Sequence, residues 1–350
     1  MDKKSISKFF IFTSAGLFSV MLFVFLIDPF YNYHKPWFGM EPYLYTAVYQ
    51  TPGAARNLDY DSVLFGTSMS ENSHTSWFDE EMGWHTAKLI YAGARSADLG
   101  AILAQIFHGN RQVKHIIMDI NDYQLTVTPD TFYTEEAHYL YDINPFNDIK
   151  YLLNKGVIGS AFTRLIAFAA GMGGNMDEAY SWIQHYSKEK VQQAYYDTGI
   201  GVTEFPVLSP DNIRQSLEIC KRNLDSFAPY IKAHPETQFI IFYPPYSLAY
   251  WQMLRETGRL EERIAVYQYS IEYLLNFDNV QIYYFQDEDN IISNLEIYCD
   301  LCHHIPEINR YIFECIRDGE KRLTADNYQN VLDNMYYFAR DYDYDSLWEK

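Results

Sequence analysis

Val63-Leu64-Phe65-Gly66-Thr67-Ser68-Met69-Ser70-Glu71-Asn72 runs from an apolar strand through a turn of small residues into polar residues able to start a helix. A turn of this kind presents a side chain at the carboxyl end of its strand. In an open parallel sheet that edge is where ligands bind, and a hydroxyl there is expected to have a helix N-terminus behind it. Ser68 is the candidate nucleophile. A serine after a strand also serves as a helix cap, and Ser68 or Ser70 fits that role too.

Outward from this turn, short apolar runs alternate with longer amphipathic ones, the signature of βα units. Candidate strands are Ser62–Phe65, Ala87–Tyr91, Val113–Ile120, Gln238–Tyr243 and Val280–Phe285. They predict an α/β domain over 60–325, with a mostly parallel sheet covered on both faces. Between Gln124 and Pro210 the pattern is helical only, with segments Asn147–Lys155, Gly159–Ala170 and Met176–Gln193. This reads as a helical insertion (about 125–210) forming a lid or a partner surface. Its Gly171-Met172-Gly173-Gly174 run breaks two helices and follows no strand, so it is a weak match to a phosphate loop. The acidic, aromatic end, 326–350, reads as a peripheral helix and solvated tail.

The nineteen residues Phe9–Ile27 carry no charge, and about 19 helical residues just cross a hydrocarbon core. Lys3, Lys4 and Lys8 precede the run and Asp28 follows it, so the positive-inside bias keeps residues 1–8 cytoplasmic and exports the rest. A cleavable signal peptide is the rival reading, but no small-residue cleavage pattern precedes Asp28-Pro29-Phe30-Tyr31. Residues 28–59 are a juxtamembrane stretch rich in Pro, Gly and Tyr. A net charge of −19 argues against nucleic acid and against a polybasic lipid-binding surface. The 32 Tyr and 23 Phe suit many half-buried faces with phenol tips in water, or else an aromatic sugar-binding groove.

Near the C-terminus, Asp300-Leu301-Cys302-His303 stands on a loop before a helix beginning near Pro306. A histidine base needs a carboxylate to fix its tautomer, and Asp300 supplies one from the same loop. His304 is adjacent at a less suitable spacing. An ordinary capping Asp with two surface His fits the same residues. Cys299-x-x-Cys302-His303 is also the attachment string of c-type haem, and the two cysteines suit a short disulfide in an oxidising compartment. Zinc has less support, because Cys220 and Cys315 form no second close pair.

Ser68 early, then Asp300-x-x-His303 late, within an α/β sheet, resembles the SGNH (GDSL-like) hydrolase superfamily from Asp61 to Cys315. Tyr91-Ala92-Gly93 and Asp119-Ile120-Asn121-Asp122 fall where that family carries its oxyanion-hole glycine and its Gly-x-Asn-Asp block. The resemblance implies a three-layer α/β/α, flavodoxin-like domain, with Ser68, Asp300 and His303 catalytic and the oxyanion held by Ser68, Gly93 and Asn121. It implies no cofactor and no metal. This sequence departs from the pattern in having Thr67 where the name motif has Asp, Asp119 for the block glycine, and no Asn before Gly93. The anchor ending in Asp-Pro-Phe, the Gly-Thr-Ser turn and Pro306-Glu307-Ile308-Asn309 after the histidine look like the membrane-anchored extracytoplasmic branch. That branch includes the D-alanyl transfer protein of teichoic-acid synthesis and exopolysaccharide acetylation proteins. The expected function is therefore a serine esterase or O-acyltransferase acting through an acyl-Ser68 on a cell-envelope glycopolymer. Its expected partners are the bilayer and a membrane-bound O-acyltransferase. The alternative within the fold is an inactive binding or scaffold protein. The Phe242-Tyr243-Pro244-Pro245-Tyr246-Ser247 exit, stiffened by its prolines, is a candidate wall of the acyl or sugar site.

Overall fold

A computed structural model of the chain describes residues 3–40, 46–134, 136–142, 144, 146–200 and 208–349. The start of the N-terminal tail (1–2), part of the juxtamembrane stretch (41–45), parts of the insertion (135, 143, 145, 201–207) and the last residue of the tail (350) lie outside the described residues.

Six strands form one sheet: β1 Ser62–Gly66, β2 Thr86–Ile90, β3 His115–Asp119, β4 Gln238–Tyr243, β5 Val280–Tyr284 and β6 Arg322–Leu323. Their order is β2-β1-β3-β4-β5-β6, with β1 to β5 parallel and β6 antiparallel to β5. Every residue of β1 is buried. Val63 and Phe65 enter one apolar cluster and Leu64 enters another, so alternate side chains of the strand feed cores on opposite faces. The larger core takes the helices Ser96–Ile106, Leu248–Glu256 and Leu260–Leu274. The smaller takes Thr75–Met82 and Pro306–Asp318, the latter through Ile308, Ile312, Phe313 and Ile316 at helical spacing. The chain leaves β1 for β2 on one side and then crosses to β3 on the other. The crevice between the carboxyl ends of β1 and β3 is thus the topological switch point.

The N-terminal helix spans Lys3–Ile27, is long and apolar enough to cross a membrane, and among its residues only Val24 is buried. Its exit is tied to the domain. The Asp28 carboxylate accepts the backbone N–H of Asn32, Tyr33 and His34 at 2.9, 2.7 and 3.1 Å and the Tyr151 hydroxyl at 2.9 Å. Arg164, buried on the helix Lys155–Ala169, donates to the carbonyls of Pro29 and Met40 and to the Tyr31 hydroxyl.

The insertion differs from the expectation. Among the described residues its α-helices are Ile149–Leu152, Lys155–Ala169 and Lys188–Asp197, and the helix expected over Met176–Gln193 begins only at Lys188. Residues 176–187 form a turn and an extended strap, because tertiary hydrogen bonds satisfy that backbone instead. Trp182 N–H donates to Asn72 Oδ1 at 3.0 Å, and Ser187 N–H donates to the Tyr298 carbonyl at 3.0 Å. The glycine run does end a helix, with Gly171 at φ +69°. The C-terminal end is not a solvated tail. Helices Tyr328–Asp341 and Asp345–Glu349 bury Leu332, Met335, Ala339 and Leu347, and Trp348 Nε1 donates to Gln252 at 2.8 Å.

Candidate active site

Gly66 ends β1 at φ +140°, a conformation that disfavours any side chain, and a Cβ there would collide with the Asp119 carboxylate. That carboxylate, fully buried at the end of β3, organises the turn that follows. It accepts Thr67 N–H at 2.8 Å, the Thr67 hydroxyl at 2.7 Å and the Ser70 hydroxyl at 2.6 Å. The turn closes through Ser70 N–H to the Thr67 carbonyl at 3.0 Å. Among the described residues no helix N-terminus lies directly behind Ser68, contrary to expectation. The next helix starts at Thr75, with His74 at its cap, so neither Ser68 nor Ser70 caps it. Asp119 takes one backbone N–H of the turn, that of Thr67, together with the two hydroxyls.

Ser68 Oγ lies 2.9 Å from His303 Nε2, and His303 Nδ1 lies 2.6 Å from Asp300 Oδ2. Asp300 Oδ1 also accepts the backbone N–H of Cys302 and of His303, both at 2.8 Å, so one carboxylate shapes the loop and orients the ring. The loop is docked on the β4 exit, where Ser247 donates its N–H and its hydroxyl to the Leu301 carbonyl at 3.0 and 2.9 Å. Burial disfavours the His303 imidazolium, but the hydrogen bond and charge of Asp300 more than offset it and raise the pKa. Burial likewise acts to raise Asp300, yet His303 and the two amides hold its carboxyl below the usual range. His304 points the other way into the protein, and burial depresses it to about 4, so it stays neutral.

A cavity of about 280 Å³ opens at Ser68, lined by Gly93, Asn121, Tyr246, Tyr250 and His303 among others. Gly93, at φ +74°, faces the Tyr133 ring where a Cβ would stand. The sequence-selected Ser68, Gly93, Asn121 and His303 thus border one space, with Asp300 behind the histidine. Asn121 has two roles. Its Oδ1 caps the short helix Asp122–Thr126 by accepting Gln124 N–H at 3.1 Å. Its amide donates to Thr67 Oγ1 at 3.0 Å and, more loosely, to Asp119 Oδ2 at 3.4 Å, so it is turned towards the Ser68 turn. Tyr246 of the β4 exit does line the cavity, and its hydroxyl accepts Asp122 N–H at 3.0 Å. Pro244 and Pro245 are not among the lining residues.

No protein-family model matches this chain, and no curated protein does either.

A second cavity, about 360 Å³, borders His303 on the side of Asp300, with Trp182, Gln184 and Cys299 in its walls. The Trp182 ring meets the His303 ring edge to face, with centroids 5.6 Å apart. Trp182 escaped the sequence reading because its position depends on the strap. Glu71 escaped too. It is buried beside the turn, and burial pushes its carboxyl up to about 7 against the pull of Lys88 and His303. Lys88, fully buried, is pushed down to about 7 by burial and donates to the Asp177 carbonyl at 3.2 Å.

Both ring nitrogens of His303 are engaged by Ser68 and Asp300, which leaves none for an axial iron, so the haem reading does not fit the donor set. Cys299 and Cys302 are thiols in this structure, as are Cys220 and Cys315. Among the described residues no three His, Cys, Asp or Glu side chains are grouped as metal ligands would be.

Proposed function

We propose that this protein is a serine esterase or O-acyltransferase of the SGNH type, held in a membrane by its N-terminal helix with the α/β domain on the extracytoplasmic side. The observation that carries the reading is the relay from Ser68 Oγ through His303 to Asp300 at 2.9 and 2.6 Å, placed in a cavity at the switch point of the sheet. The parallel order around β1 and the positions of Gly93 and Asn121 after β2 and β3 support a flavodoxin-like SGNH arrangement.

With Asp300 accepting the Nδ1 proton, Nε2 carries the lone pair that faces Ser68. Ser68 Oγ attacks the carbonyl carbon of an ester while its proton passes to His303 Nε2. The tetrahedral intermediate collapses, the leaving alcohol takes that proton, and acyl-Ser68 remains. Water or a hydroxyl of a glycopolymer then attacks the acyl group, giving its proton to His303 Nε2, and His303 returns that proton to Ser68 Oγ as the Oγ–acyl bond breaks. The oxyanion is held by backbone N–H groups of the Ser68 turn and Gly93, joined by the Asn121 amide once it rotates off Thr67. A cavity of about 280 Å³ suits a short acyl group. The substrate class, a cell-envelope glycopolymer acylated beside a membrane-bound O-acyltransferase, follows from the tether and the motif resemblance.

The turned amide of Asn121 favours a second reading, an SGNH-fold scaffold without turnover. One experiment separates the two. The detergent-solubilised chain is treated with a fluorophosphonate probe and with p-nitrophenyl acetate beside Ser68→Ala. Labelling and turnover that vanish in Ser68→Ala support the enzyme, and their absence from the unaltered chain supports the scaffold.

A further inference from the structure

The helix Lys155–Ala169 buries Val157, Ala161, Arg164 and Ala167 along one stripe. Its other side is apolar as well. Phe162 is 53% exposed, Ile166 67%, Phe168 41% and Met172, just beyond the helix end, 55%. From Leu165 to Met176 the sequence contains no charged residue. A helix facing water would carry charges there, and large apolar side chains gathered on one exposed face mark a contact.

What covers this face is indicated by its neighbour. The helix packs against the N-terminal helix, and the Phe162 ring meets the Phe23 ring with centroids 4.6 Å apart. Phe23 lies four residues before Ile27, so at 1.5 Å per residue Phe162 sits about 6 Å below the end of the apolar span. An interfacial helix buries its apolar face by about 5–10 Å. Arg164 ties this helix to the carbonyls of Pro29 and Met40 just beyond the span, and Asp28 ties the same exit to Tyr151 on the preceding short helix, so this depth is built into the fold. Trp37, whose ring meets those of Phe25 and His34 beside the same exit, fits the aromatic belt at a membrane surface.

We infer that the helix Lys155–Ala169 lies in the interface of the leaflet from which Asp28 emerges, with Phe162, Leu165, Ile166, Phe168 and Met172 among lipid acyl chains. The protein then holds the bilayer by two elements, one spanning and one lying flat, and the domain has a fixed face towards the membrane. This rests on reading Lys3–Ile27 as a membrane anchor. A lipid occupant is favoured over a protein partner because the face offers no charge from Leu165 to Met176 with which to select one.

The test uses the full chain reconstituted in phosphatidylcholine vesicles that contain lipid brominated either near the headgroup or near the chain ends. Two single variants, Ile166→Trp and Phe12→Trp, are compared with the unaltered chain, and the added emission is followed. Circular dichroism checks that each variant is folded. The inference expects headgroup-side bromines to quench the emission added at position 166 by about half, and chain-end bromines to quench it less. At position 12, within the span, quenching is expected as well. Quenching at position 12 with none at 166 overturns the interfacial helix and leaves the anchor standing. Stronger quenching of 166 by chain-end bromines also overturns it. No quenching at position 12 removes the anchor and this inference together.

Discussion

Replacing Asp119 tests whether one buried carboxylate sets the position of the nucleophile. It takes three hydrogen bonds of 2.6 to 2.8 Å from Thr67 and Ser70. Asp119→Ala strands these donors in a dry site at about 1–3 kcal/mol each, a ceiling of roughly 3–9 kcal/mol. Removing a charge that burial already disfavours returns part of that, since its pKa is raised by desolvation against those same bonds. A net loss of about 4 kcal/mol is expected, in the range for breaking a buried charged cluster. Asp119→Asn behaves differently. Its amide oxygen still accepts Thr67 N–H and the Ser70 hydroxyl, and the Thr67 hydroxyl reverses to accept from the new NH₂ group. The Thr67 proton then loses its acceptor, since its oxygen already accepts from the Asn121 amide, and the loose 3.4 Å contact with Asn121 is opposed as well, so the cost is about 2 kcal/mol. The assay is urea unfolding of the solubilised chain together with the rate of fluorophosphonate labelling at Ser68. The alanine variant should label about 10²-fold more slowly at a urea concentration where it remains folded, because the turn drifts. The asparagine variant should stay within about tenfold of the unaltered chain. An alanine variant as stable and as reactive as the parent would refute the positioning role.

Labelling of Ser68 needs neutral His303, whose pKa is raised above 6.5 with Asp300 as the cause. As pH falls through that pKa the imidazolium forms and the rate is lost, so the acid limb should lie above pH 6.5. Asp300→Asn should lower the limb and slow labelling by up to about 10⁴-fold, and a pH–rate profile of both forms checks it. Gly66→Ala should cost at least about 3 kcal/mol in urea unfolding, combining a strained backbone with a collision at Asp119. Gly83→Ala, at φ +72° with open space around it, should cost only about 1 kcal/mol.

The five parallel strands could be read from the sequence because each is a short, mainly apolar run bounded by turn residues, and they lie within two residues of where they were expected. β6 could not be, since Arg322–Leu323 is too short to carry a pattern and exists only by pairing with β5. In the C-terminal helices, Leu332, Met335 and Ala339 recur at helical spacing, but the acidic and aromatic residues between them hide the stripe. The residues of the site that could be found are those with local signatures. Ser68 follows a strand, and Asp300 stands three residues before His303. Trp182 and Glu71 reach the histidine through the path of the strap and the fold of the turn, which no spacing encodes.

Asp119 resolves a conflict that the sequence raises. Two of the three departures from the proposed family pattern belong together: Thr67 replaces the motif's Asp and Asp119 replaces a glycine of the later block. In the structure the two are hydrogen-bonded to each other, Thr67 through its N–H and its hydroxyl. The carboxylate that the motif carries on the nucleophile turn is here supplied from the neighbouring strand. Thr67 contributes the hydroxyl that receives it, and Gly66 is the residue whose missing Cβ makes room. The negative charge therefore lies beneath the turn, engaged by Thr67 and Ser70, and shut off from solvent rather than lining the cavity at Ser68. On this account these two departures are one compensated exchange. It carries a further consequence: Thr67→Val, which keeps the shape but removes the hydroxyl between them, leaves Asp119 Oδ2 and the Asn121 amide only their loose 3.4 Å contact with each other and should disturb the turn more than Asp119→Asn does.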